Sequence, residues 1–115
     1  MILFPVIYNG NSGSRTWDVG SKPGGISWVG AYDLSGNVWE WVNDWYSPTY
    51  YQDCVDEKIV ENPSGPDAGT SRGMRGGSWY DLKDSLRVSK RGDYAPGLDN
   101  ANLGFRCARG GAYGP

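Results

Sequence analysis

The sequence predicts a small, loop-rich fold of short strands with little helix. Two compositional features carry that expectation. Only 38% of the 115 residues are hydrophobic, yet 14% are aromatic, with 6 Trp and 8 Tyr against 2 Phe. Such a core consists of large flat rings, each burying much area per residue. The 18 Gly and 7 Pro then interrupt nearly every stretch, because Gly weakens regular elements entropically and Pro removes a backbone donor. The aromatic content also argues against disorder. At this length one domain covering residues 1–115 is the natural expectation, with no internal repeat.

The elements follow in order. Residues 1–8 (MILFPVIY) read as a short apolar strand, placed near an edge by Pro5. Asn9 to Gly25 is rich in Gly, Ser and Asn, and Lys22-Pro23-Gly24-Gly25 is a turn cluster. Trp28 to Tyr46 is the densest stretch. Its Val38, Trp39, Trp41, Val42, Trp45 and Tyr46 fit neither a helical nor a strict strand period, but β-branched and aromatic content favours strand. Ser47 to Thr70 carries loop signals throughout: Ser47-Pro48, the acidic run Asp53 to Glu57, and Asn62-Pro63-Ser64-Gly65-Pro66. Arg72–Trp79, Leu86–Tyr94 and Leu103–Ala108 read as three further short strands.

Charge narrows the function classes. The net charge is −2 and the pI about 4.9, so a general affinity for nucleic acid or anionic membranes is not expected. Acidic groups crowd the front of the chain and basic groups the end, a distribution suited to attraction within one fold. Cys54 and Cys107 form no metal-type spacing, which leaves one disulfide or two thiols open. No apolar run reaches membrane-spanning length, and Met1–Pro5 lacks the basic region of a signal peptide, so neither membrane insertion nor ordinary export is expected.

The specific signal is a series of motifs. Tyr32-Asp33-Leu34-Ser35-Gly36-Asn37-Val38-Trp39-Glu40-Trp41 precedes Asp44-Trp45-Tyr46 and Asn62-Pro63-Ser64-Gly65-Pro66. Arg75-Gly76-Gly77-Ser78-Trp79 follows, then Leu86-Arg87 with Arg91, then Gly104-Phe105-Arg106-Cys107-Ala108. In this order the set resembles the C-terminal half of the formylglycine-generating-enzyme, or sulfatase-modifying-factor, family. The resemblance implies an α+β, C-type-lectin-like fold with short antiparallel central strands.

Departures from that family bear on chemistry. Its oxidising members carry a copper-binding cysteine pair shortly after the Gly-Gly-Ser motif. Here that stretch is Trp79-Tyr80-Asp81-Leu82-Lys83-Asp84-Ser85-Leu86, without sulfur. Soft Cu(I) needs soft ligands, which Asp and Tyr do not supply. Related iron-dependent sulfoxide synthases use histidines, and this chain has 0 His. No redox cofactor is therefore expected. A Ser nucleophile lacks a His base, and the pairs Asp53/Asp56 and Asp81/Asp84 lie in loop-like segments with no apolar pocket evident. Neither a phosphate-cradling loop nor a dinucleotide fingerprint is present. The chain is read as not an enzyme.

One inorganic site is expected from the resemblance: a structural Ca²⁺ held at Asp33, Gly36, Val38 and Glu40, through two carboxylates and two backbone carbonyls. A second reading stands beside it, in which Asp33 caps a turn ending at Gly36 and Glu40 pairs with Arg75, Arg87 or Arg106. Arg75, Arg87, Arg91 and Arg106 are read as loop ties, and Trp39, Trp41, Trp45 and Trp79 as core rather than a sugar platform.

The same scaffold is similar to the variable proteins of diversity-generating retroelements, whose C-terminal segment is rewritten to bind diverse targets. The resemblance implies a ligand-binding surface at Tyr80, Asp81, Lys83, Asp84, Lys90, Gly92, Asp93, Tyr94, Leu98 and Asn100. Their mixture of Tyr with small polar groups suits adaptable recognition. The expected partner is a protein or surface ligand; the sequence leaves the compartment open, and display at a surface or on a virion is compatible with this reading. The alternative is a divergent or partial sulfatase-modifying enzyme, or its accessory subunit.

Overall fold

A computed structural model of the chain describes residues 5–108. Its centre is a four-stranded sheet with strands β1 (Trp39–Trp45), β2 (Arg72–Arg75), β3 (Arg91–Tyr94) and β4 (Leu103–Gly104), ordered β3-β2-β1-β4. β1 pairs antiparallel with β2, β2 antiparallel with β3, and β1 parallel with β4. One helix, α1 (Tyr50–Asp56), leaves the end of β1, and short 3₁₀ turns occupy Pro23–Gly25 and Lys83–Leu86. This is the expected α+β, loop-rich class. Among the described residues no helix is long and apolar enough to cross a membrane.

The strands are shorter than the motifs that contain them, for identifiable reasons. Trp28 to Val38 is not strand: Gly30, Asp33, Gly36 and Asn37 all have positive φ, which extended backbone excludes. β2 stops at Arg75 because Gly76 and Gly77 turn left-handed, with φ of 105° and 69°. Leu86 closes a 3₁₀ turn, so the strand expected from Leu86 begins only at Arg91. The strand expected at residues 1–8 is absent from its described part, Pro5–Tyr8; Met1–Phe4 lie outside the described residues.

The helix in the segment read as loop had a signal. Thr49-Tyr50-Tyr51-Gln52 has the spacing of a capping box. The Thr49 side chain does not cap, however, and Gln52 bonds Asp56 at 2.9 Å instead.

The apolar core is small. Among the described residues, Ile7 (0% exposed), Trp39 (6%) and Leu86 (7%) are the buried hydrophobic side chains. Each aliphatic contributes about 1.5–3 kcal/mol by burial. By contrast Trp28 (97%) and Phe105 (77%) stand almost fully in solvent. Much of the organisation therefore comes from hydrogen bonds between loops.

Candidate functional site

The Tyr32–Trp41 motif delivers β1 into the sheet through a tight left-handed turn. At Gly36 (φ 82°) an added Cβ would lie 2.4 Å from the Ile7 carbonyl oxygen, so only Gly fits. That approach lets Gly36 donate to the Gly76 carbonyl at 2.7 Å and Asn37 to the Ile7 carbonyl at 2.8 Å. The buried Asn37 side chain accepts from the Trp17 amide and donates to the Trp17 carbonyl, both at 3.0 Å. Its carbonyl accepts from Trp79 at 2.8 Å. Asn37 thus joins the N-terminal loop, β1 and the segment after β2. Sequence reading missed this role, although Gly-Asn is a pair that tolerates left-handed backbone.

Asp33, Gly36, Val38 and Glu40, expected as metal ligands, line one cleft of about 450 Å³ together with Phe105 and Arg106. One of its two carboxylates, Glu40, is already paired with a cation. Arg106 pairs with Glu40 through Nε to Oε1, and through Nη2 to Oε2 at 2.9 Å. The same guanidinium donates to the carbonyls of Tyr32 (2.8 Å) and Asp33 (2.9 Å). Glu40 raises the Arg106 guanidinium above its already high ordinary value. Asp33 does not cap its own turn; its carboxylate accepts from the Gly20 amide at 2.8 Å. Among the described residues no cluster of three or more His, Cys, Asp or Glu gathers as metal ligands. A guanidinium thus holds the Glu40 carboxylate that calcium would need, and the acidic front meets the basic end at this pair.

The surface expected after β2 is divided. Tyr80 and Asn100 line a cleft of about 340 Å³ with Trp79, whose ring meets Tyr80 edge-on at 5.8 Å. Asp84, Asp93, Leu98 and Asn100 are exposed. Lys83 stands 5.8 Å above the Tyr8 ring, and Lys90, half-buried, immediately precedes β3. Asp81 and Gly92 are placed differently from a freely varying surface. The Asp81 carboxylate accepts from the Trp39 indole at 2.8 Å and from the Ser78 hydroxyl at 2.5 Å. Gly92 faces inward, where a Cβ would lie 2.8 Å from the Met74 side chain. Asp93 accepts from Ser71 at 2.9 Å, and Tyr94 packs on Trp41 at 6.4 Å.

The remaining candidates resolve into structural tasks. Arg75 donates to the Val88 carbonyl at 2.5 Å and Arg87 to the Asp84 carbonyl at 3.0 Å. Arg91 differs: its guanidinium stacks on Tyr51 at 4.0 Å and Tyr46 at 5.3 Å, and makes no hydrogen bond or ion pair among the described residues. Trp39 is core, while Trp41, Trp45 and Trp79 are half-buried. The carboxylates of Asp53 and Asp56 are bonded by Thr49 and Gln52 on the exposed side of α1. Asp81 points inward while Asp84 is exposed. Cys54 and Cys107 are both free thiols.

Comparisons with known proteins agree with this architecture. Residues 4–110 match the sulfatase-modifying factor enzyme 1-like domain. The chain is 45% identical over 96 residues to the serine/threonine-protein kinase Pkn1 of Chlamydia trachomatis, covering 84% of this chain and 15% of that protein. It is 46% identical over 83 residues to the formylglycine-generating enzyme of Streptomyces coelicolor, covering 69% and 25%. Among solved structures it resembles Treponema denticola variable protein 1, with a TM-score of 0.70, 35% identity and coverage of 87% and 34%. The chain thus spans between about a seventh and a third of these relatives, and it belongs to the sulfatase-modifying factor enzyme 1-like domain family.

Proposed function

We propose that this domain is a non-catalytic ligand-binding module. It displays a variable surface from the segment after β2, in the manner of diversity-generating-retroelement variable proteins. The observation that carries the reading is the stretch Trp79–Leu86, where the oxidising enzymes place their cysteine pair. It contains no sulfur, and its Asp81 is committed to holding Trp39 and Ser78. The likeness to Treponema denticola variable protein 1 supports the same direction. On this reading Tyr80, Lys83, Asp84, Lys90, Asp93, Tyr94, Leu98 and Asn100 meet a protein or surface ligand. Asp81 and Gly92 support them from beneath. The fold works as one domain.

A second reading follows from the identity to the Streptomyces coelicolor enzyme: a partial sulfatase-modifying enzyme or an accessory subunit of one. Incubation with a Cys-x-Pro-x-Arg peptide, with and without copper, separates the two. The binding module leaves the thiol intact by mass spectrometry. Aldehyde formation that depends on the domain would establish the second reading.

Calcium at Asp33, Gly36, Val38 and Glu40 is part of the proposal only with Arg106 displaced, because both Glu40 oxygens are engaged. Calorimetric titration of the chelated protein is expected to give little heat, and Arg106→Gln a stronger binding signal. Tight binding by the unaltered protein would show that the guanidinium gives way to the ion.

A further inference from the structure

A second cavity, of about 240 Å³, opens on another part of the molecule. Its floor comes from Gly73, Met74 and Gly92 of the sheet, and its walls from Tyr46, Tyr50, Tyr51, Pro63 and Pro66. The sequence builds it from two motifs. The β1–β2 register shifts between Trp41 and Trp45, so Val42, Asp44 and Trp45 all line the cavity despite strand alternation. The Asn62–Pro66 loop is tied to α1 by the Gly65 amide, which donates to the Tyr50 hydroxyl at 2.9 Å.

Two arginines enter this aromatic enclosure with donors to spare. The Arg91 guanidinium carbon lies 4.0 Å from the Tyr51 ring centre and 5.3 Å from that of Tyr46, and its side-chain N–H groups have no acceptor among the described residues. Arg75 uses Nη2 on the Val88 carbonyl, and its Nε is buried with no partner among the described residues. A buried donor without an acceptor is rare and unfavourable. Among the described lining residues Asp44 is the single carboxylate against the two guanidinium groups, so the lining carries a net positive charge. A planar guanidinium held by stacking matches a carboxylate better than a spherical anion. The volume suits one ring with its acid group, since a cavity of about 150 Å³ accommodates benzene.

We propose that this pocket binds a small aromatic carboxylate, with Arg91 and Arg75 facing the acid group and the Tyr and Pro walls enclosing the ring. The pocket shares no lining residue with the Tyr80–Asn100 cleft, although its Arg91 and Gly92 lie on β3 beside Asp93 and Tyr94. Benzoate binding read at its own glycines tests it independently of that cleft.

Benzoate is the probe, titrated into the full chain while amide shifts of Gly65, Gly73 and Gly92 are followed by NMR. Saturable shifts are expected, with neutral benzamide and sulfate each binding at least about tenfold more weakly. Arg91→Gln is expected to weaken benzoate by about tenfold or more while leaving benzamide unchanged. Arg91→Lys, which keeps the charge but not the planar fork, falls between. The proposal is overturned if benzoate gives no saturable shift at these glycines, binds no better than benzamide, or binds Arg91→Gln as well as the unaltered chain. Should Arg91→Gln fail to fold, the benzoate-to-benzamide ratio on the unaltered chain decides alone.

Discussion

Around Asn37, hydrogen bonds join residues far apart in sequence: Ser12 to Trp79, Trp17 to Asn37, Trp39 to Asp81. From Arg87 to Asn100, outside the β3 ladder, backbone bonds span only local turns, such as Lys90 to Arg87 and Leu98 to Ala95. The two regions draw on similar residue types, with Asp, Asn, Gly and aromatics in both. What separates them is loop closure. Every long-range bond in the first region offsets chain entropy already lost by its neighbours, so removal of one member is felt by all. In the second, the long-range side-chain contacts gather on β3, where Asp93 meets Ser71, Tyr94 meets Trp41 and Arg91 meets Tyr51. Exposed positions outside β3, such as Asp84 and Leu98, are the ones able to change without unfolding their support.

The comparison is broken most severely at Trp39. Trp39→Ala removes the largest buried ring and leaves the Asp81 carboxylate short of a donor. A loss of about 3–5 kcal/mol in urea unfolding is expected, and a loss below about 1 kcal/mol would show that the hydrogen-bonded seam holds the fold without its core. Asp81→Ala comes next. It orphans the Trp39 indole N–H and the Ser78 hydroxyl, for an expected loss of about 1–3 kcal/mol. Asp84→Ala, three positions later and exposed, is the control. Its effect is expected within about 0.5 kcal/mol. Equal effects at Asp81 and Asp84 would erase the distinction between support and surface in this segment.

The candidate site is only partly legible in the sequence. The pairing of Glu40 with a distant arginine is expected there, because an ion pair is suggested by residue type alone. The choice of Arg106 was not legible: Arg75 is the register partner of Glu40, yet it turns to the Val88 carbonyl. Asp81 and Gly92 carry residue types typical of loops, which in sequence are indistinguishable from exposed positions. Only the packing of Trp39 and Met74 shows that they face inward. The helix Tyr50–Asp56 was hidden by the Pro and Gly signals flanking it on both sides.

By itself the sequence determined the family, the loop-rich α+β class and the absence of cysteine from the stretch Trp79–Leu86. Those properties depend on the order and inventory of residues, which folding does not alter. Tertiary structure alone decided which of several similar polar groups turn inward, how Arg106 comes to occupy Glu40, and that Arg91 is left stacked with unused donors over an aromatic pocket. Each of these is a contact between segments distant along the chain, and such contacts depend on the closure of the whole fold rather than on any local pattern.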